Sequence, residues 1–199
     1  MRQATDQALP LVMVTGASSG IGKALAMAFA REGHPLLLIS RHIEPIAGLP
    51  EDTVYRQADV ADYGAITAAV EAAAAVHGPV GCLVNNAGMA DARAFEDVDE
   101  PSYARELDTN LKGVFNCAKA VLSGMRARQS GTIINIAPGY IRTNIHSGMH
   151  ISFEEYRARL GNPDFMTAEE LAEIVLFCWK QPVAICIRDL VVAPTRTTF

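Results

Sequence analysis

The stretch LVMVTGASSGIGKALAMAFAREG, residues 11–33, restricts the fold more than any other part of the chain. Five residues suited to a buried strand run into a glycine–serine turn. The turn opens a helix whose apolar positions recur at helical spacing and which closes at Gly33. A strand this apolar has no polar face to offer water, so it belongs in a sheet covered on both sides. Gly16 permits the tight turn, Gly20 lets the backbone approach a phosphate, and Gly22 allows close packing of helix on strand. Unpaired N–H groups at the helix start then meet negative charge, which makes the turn a candidate pyrophosphate cradle.

The same alternation continues downstream. Strands are expected at 35–40, 53–59, 81–88, 132–137 and 185–192. Between them lie an Ala-rich helix closed by Gly78, a long helix over 101–128 with Pro101 in its first turn, and a helix over 167–181. Thr167 and Glu170 are spaced as a capping box at the start of the last helix. Residues 144–165 read as loop. Strands alternating with helices, with the strands apolar throughout, imply a three-layer α/β domain around a doubly wound parallel sheet. No repeat, linker or low-complexity tract divides the chain, so residues 1–199 are expected to form a single domain.

Composition removes several classes of function. With 17 basic and 22 acidic residues and no basic run, the chain is not patterned for nucleic acid or anionic membranes. Its longest apolar runs fall well short of the ~20 residues that a membrane-spanning helix needs. The polar start, MRQATDQALP, lacks the apolar core of a signal peptide, and Cys82, Cys117, Cys178 and Cys186 form no CxxC pair. The expectation is a cytoplasmic protein with reduced thiols. His146 and His150, with Glu154 and Glu155, lack a HExxH core and are split by Gly148, so no metal site is expected.

Three motifs occur in order: Gly-x3-Gly-x-Gly at 16–22, NNAG at 85–88, and Asn110 within DTNLKGVF. Together they resemble the short-chain dehydrogenase/reductase family, a match that covers most of 11–136 and resumes at 138–143 and in the C-terminal helix. The resemblance implies a Rossmann-type fold and an oxidoreductase using a nicotinamide dinucleotide. It places Gly16, Ser18, Gly20 and Ile21 along the pyrophosphate and ribose, and Asp59 with Val60 at the adenine. Asn86, Ala87 and Gly88 pass beneath the adenine ribose, and Asn110 kinks its helix and holds a water of the proton relay. Each also has a plain structural reading: Asp59 as a turn aspartate, Asn110 as a surface amide. At the end of the second strand stand Ser40 and Arg41 where an acid would select NAD; a guanidinium suits a 2′-phosphate, so NADP is expected ahead of NAD.

The catalytic half departs from the family pattern. The serine position after the fifth strand holds Pro138, which has no hydroxyl. The family's tyrosine is followed four residues later by a lysine that lowers its pKa. Here Tyr55, Tyr63, Tyr103, Tyr140 and Tyr156 are followed at that spacing by Asp59, Thr67, Leu107, Asn144 and Leu160. Pro138, Gly139, Ile141 and Thr143 instead match the family's later Pro-Gly-x-Ile/Val-x-Thr element, which holds the nicotinamide carboxamide. The stretch therefore reads as strand five joined to the end of strand six, with the Ser and Tyr-x3-Lys segment missing between Ala137 and Pro138. The fold is then expected to be shorter by about one strand and one helix. That helix normally helps build the family's dimer interface, so self-association is open. Lys112 and Lys119 read as surface charge.

Two functions are compatible with these readings. One is an NADP-dependent oxidoreductase acting on a small carbonyl or alcohol. The other is a catalytically silent nucleotide-binding or interaction protein produced by an internal deletion, with a poorly folding deletion product as a blander third outcome.

Overall fold

A computed structural model describes residues 9–91, 93, 95–139, 141, 152–159, 161–182 and 184–192. Five strands form one parallel sheet in the order β3-β2-β1-β4-β5. They are β1 (Leu11–Thr15), β2 (Leu36–Ser40), β3 (Val54–Gln57), β4 (Val80–Asn85) and β5 (Thr132–Asn135). The order reverses beside β1, leaving a crevice at the carboxyl ends of β1 and β4, where sheets of this kind take ligands.

Alternation along β1 builds two cores. Val12 and Val14 face one way, with α1 (Gly20–Arg31) and α6 (Ala168–Trp179) packed on that face. Leu11 and Met13 face the other way, onto α2 (Tyr63–His77) and α4 (Gly113–Ala127). Small residues on α1, among them Ala24 and Ala28, bring it close to the sheet, and Phe29 meets His34 and Trp179 edge to face. Arg31–Glu173 and Lys180–Glu32 ion pairs tie the two helices of the first face together.

The expected long helix is α3 (Glu100–Leu107) continued into α4 through one π turn, Asp108–Lys112. Asp99 caps it and Pro101 sits in its first turn. A Cβ on Gly113 would lie 2.4 Å from a Val60 methyl, so only glycine lets the helix cross there.

Two expectations are corrected. Within the segment read as loop, Phe153–Arg159 forms α5. Residues 185–192, read as a strand, join no sheet among the described residues and run as irregular chain. The cause is topological. The C-terminus of α6 meets that of α1 through Lys180 and Glu32, 2.8 Å apart, so the chain leaves α6 on the α1 face. From there, a parallel strand beyond β5 would need a left-handed crossover, and about 98% of such connections are right-handed. β5 itself is thinly covered: Thr132, Ile133 and Ile134 are half-buried and Asn135 is exposed.

Candidate nucleotide-binding site

Gly16 and Gly20 carry φ of +66° and +51°, the left-handed region that favours glycine. A Cβ on Gly22 would stand 2.2 Å from the Gly16 carbonyl oxygen, so the turn closes directly on the helix. The turn is held from behind by β4. The Thr15 hydroxyl, buried at the end of β1, accepts the N–H groups of Asn86 and Ala87, each at 3.0 Å. The Asn86 amide in return donates to the carbonyls of Thr15 at 2.9 Å and Gly16 at 3.3 Å. Asn86 and Ala87 thus fix the shape of the cradle from beneath, and Thr15, which sequence reasoning missed, is the hub.

The N-terminus of α1 differs from those of its neighbours. Asp62, Asp99 and Thr167 cap α2, α3 and α6 with their side chains. Ser19, at the N-cap of α1, gives no such bond, and no acid lies in the first turn. Gly20, Ile21 and Gly22 therefore present N–H groups that no side chain satisfies, the arrangement an anion completes. This fits a dinucleotide whose pyrophosphate rests at the helix start.

Beside the turn, the hydroxyls of Ser18 and Ser40 lie 3.1 Å apart, bringing the ends of the glycine turn and β2 together. Arg41 comes next, exposed and without an ion-pair partner among the described residues. Asp59 forms a turn: its Oδ1 accepts the Ala61 N–H at 2.9 Å and its carbonyl accepts the Asp62 N–H at 3.0 Å. Val60 is buried and its carbonyl accepts the Asn116 amide at 2.9 Å. The plain turn role of Asp59 is therefore real, and the residue is exposed.

Asn110 lies in the π turn, where the expected kink falls. Its Oδ1 accepts the Met89 N–H at 2.9 Å and its amide donates to the Met89 carbonyl at 2.8 Å. Both ends of the side chain thus pin the peptide groups just past Gly88. Beyond Met89, Arg93 bonds to both oxygens of Asp91 and to Ser102, and pairs with Asp99. Arg93 holds the Asp91 carboxyl far below the usual carboxylate range. Ser102 and then Arg93 lower Asp99. The loop after β4 is thereby locked onto α3, with Glu106 accepting the Asp91 N–H.

Pro138 and Gly139 are exposed just past β5, while Ile141 is buried and bridges in parallel to Met166. Thr143 and Tyr140 lie outside the described residues, as do His146 and His150. Of the described tyrosines, Tyr55 accepts the Ile46 N–H and Tyr103 is exposed on α3. Tyr63 lies under Lys119, which is exposed as expected and whose Nζ is 4.7 Å from the ring centroid. The Gly turn, Arg41, Asp59, Asn86, Ala87, Gly88 and Asn110 gather along the carboxyl ends of β1 to β4; Pro138 and Gly139 come after β5 on the same rim.

The sequence profile of the short chain dehydrogenase family matches residues 10–147. Oxidoreductase UcpA of Salmonella typhimurium is 41% identical over 128 residues, 61% of this chain and 49% of that protein. The 3-oxoacyl-acyl-carrier-protein reductase FabG of Staphylococcus aureus is 34% identical over 133 residues, 63% of this chain and 54% of that protein. The chain thus spans about half the length of these relatives. Among solved structures, an actinorhodin polyketide ketoreductase with NADPH superposes with a TM-score of 0.74 at 26% identity, covering 86% of this chain and 91% of that one. Serine dehydrogenase from Escherichia coli reaches 0.77 at 24% identity over 95% of this chain and all of that one, a likeness of fold. With the profile matched over most of its length and the glycine turn and NNAG joined as described, the chain belongs to the short-chain dehydrogenase family.

Proposed function

We propose that the chain binds NADP, and that its inherited chemistry is hydride transfer between the nicotinamide and a small carbonyl or alcohol. The observation that carries the cofactor choice is the mouth of β2. Two hydroxyls, Ser18 and Ser40, 3.1 Å apart, stand beside the exposed Arg41, with no carboxylate at the strand end to repel a 2′-phosphate. The NADPH bound to the actinorhodin ketoreductase supports the same choice. Gly20, Ile21 and Gly22 would hold the pyrophosphate by their N–H groups, and Asp59 would accept from the adenine. When bound, the nicotinamide supplies or accepts the hydride; this chain's residues orient it and fix the loop beyond Gly88. A reducing cytoplasm suits its unbridged cysteines.

Binding of NADPH and NADH, measured by nicotinamide fluorescence, tests the assignment. NADPH is expected to bind tighter by roughly tenfold or more, and Arg41→Ala should erase most of that difference while leaving NADH unchanged. Equal affinity for the two in the native chain would overturn the choice of cofactor.

A second reading rests on Pro138, and on the absence of a lysine four residues after any tyrosine. On that reading the chain binds NADP without turnover. NADPH oxidation against a broad aldehyde and ketone panel separates the two: turnover supports the oxidoreductase, and tight binding with no turnover supports the silent binder.

A further inference from the structure

We propose that Asn116 of α4 is a positioning residue for the adenine half of the cofactor, acting through the turn that carries Asp59. The inference rests on the reading that Asp59 meets the adenine, and names the residue that holds Asp59 in place. Asn116 is 6% exposed, and its amide donates to the Val60 carbonyl at 2.9 Å, across 56 residues of chain. The other buried residues of α4 are Gly113, Cys117, Val121 and Met125, so Asn116 is the only buried polar side chain among the described residues of that helix. A buried amide costs free energy unless it is paired, and an apolar residue would fill the same volume without that cost. What the amide adds is a fixed register between α4 and the turn over 59–61.

Val60 is gripped from two directions. Gly113 stands three residues before Asn116, on the same side of the helix, and a Cβ there would come within 2.4 Å of a Val60 methyl. The α4 backbone thus stops the Val60 side chain while the Asn116 amide holds its carbonyl. The turn is closed on its other flank by the Asp59 bonds to the Ala61 and Asp62 N–H groups. Asp62 then caps α2 by accepting the Ala65 N–H at 3.0 Å. The exposed Asp59 therefore stands on a turn fixed to two helices. Asn110, six residues before Asn116 on the same continuous helix, holds the N–H and the carbonyl of Met89. One rigid stretch thus grips the adenine turn at one point and the loop past Gly88 at another. Each grip serves its own half of the dinucleotide, so substitution should separate the two.

Adenosine diphosphate and nicotinamide mononucleotide, each competing with NADPH in the fluorescence assay of the full chain, read the two halves apart. Adenosine diphosphate has no 2′-phosphate, so the result does not depend on Arg41. Asn116→Leu keeps the bulk and removes the donor. It is expected to weaken NADPH and adenosine diphosphate roughly tenfold, with nicotinamide mononucleotide changed by less than about twofold. In a chain that already carries Asp59→Ala, the same substitution should cost less than about threefold, because the group it positions is gone. Asn116→Ser keeps a hydroxyl donor and should recover part of the loss; it carries the same test if the leucine variant fails to fold. A structural role alone would weaken both fragments alike, or would cost as much in the Asp59→Ala chain, and either result overturns the proposal. A native chain that binds neither NADPH nor either fragment overturns the nucleotide reading itself, and this inference with it. The native chain alone therefore tells the two failures apart.

Discussion

Thr15 carries a larger share of the site than its size suggests. Its one hydroxyl accepts two N–H groups at the start of the NNAG turn, 71 and 72 residues along the chain. Thr15→Val keeps the shape and removes both acceptances. Leaving those donors unpaired is expected to cost about 1–3 kcal/mol in urea unfolding and to weaken nucleotide binding, with Thr15→Ser restoring most of both. The glycines of the turn were legible in the sequence because their backbone conformation admits little else. Thr15 was not, since nothing near position 15 announces partners that distant. The motif did not show the part Asn86 plays here, which is to shape the cradle through the carbonyls of Thr15 and Gly16. Lys119 is exposed, as its position suggested, and only its contact with the Tyr63 ring on the neighbouring helix was hidden from helix spacing.

Among the elements, α6 was the easiest to read and residues 185–192 the hardest. The capping box at Thr167 and Glu170 is a local signal with local partners, and both of its hydrogen bonds are present. Thr167→Ala should cost about 1 kcal/mol, seen as a lower melting temperature. A strand has no such autonomy. Its propensity reports packing in a sheet, and 185–192 has the composition without a ladder partner among the described residues. α5 escaped notice because seven residues leave little room for a periodic pattern. The loop after β4 has its own pH behaviour. Its carboxylates at Asp91 and Asp99 are depressed by Arg93 and Ser102, so the lock contributes fully above the ordinary carboxylate range and is lost only as pH falls below it, through the lowered values. Amide exchange across 88–99 should therefore stay slow at pH 4 and rise only under stronger acid; loosening at pH 5 would show that the Arg93 contacts are not made.

At the scale of the whole molecule the sheet divides unequally. The centre of the sheet, β2, β1 and β4, is covered on both faces and holds the nucleotide features, while the edge strands β3 and β5 are thinly packed. Thiol chemistry should map this division. Cys82 and Cys117 are buried, and burial raises both, Cys117 to about 12, so neither offers thiolate near neutrality. A disulfide reagent at pH 8 is expected to leave these two untouched until denaturant is added. Rapid labelling of either in the folded chain would mean that the covered centre opens readily. The family's fold was readable because its motifs fall in this centre; the substrate side was not, because Pro138 and the residues after it replace the pattern that would identify it.

The bare N-terminus of α1 has a consequence for how long the protein survives. A helix finished by a diffusible molecule is more stable when that molecule is abundant: at a concentration about a hundredfold above its Kd, a ligand adds about 2.7 kcal/mol to the folded state. Increments of that size change the fraction of chains open to proteolysis several-fold or more. The supply of pyridine nucleotide would then set the abundance of this chain as well as its occupancy, so that starvation for the cofactor clears the protein from the cell.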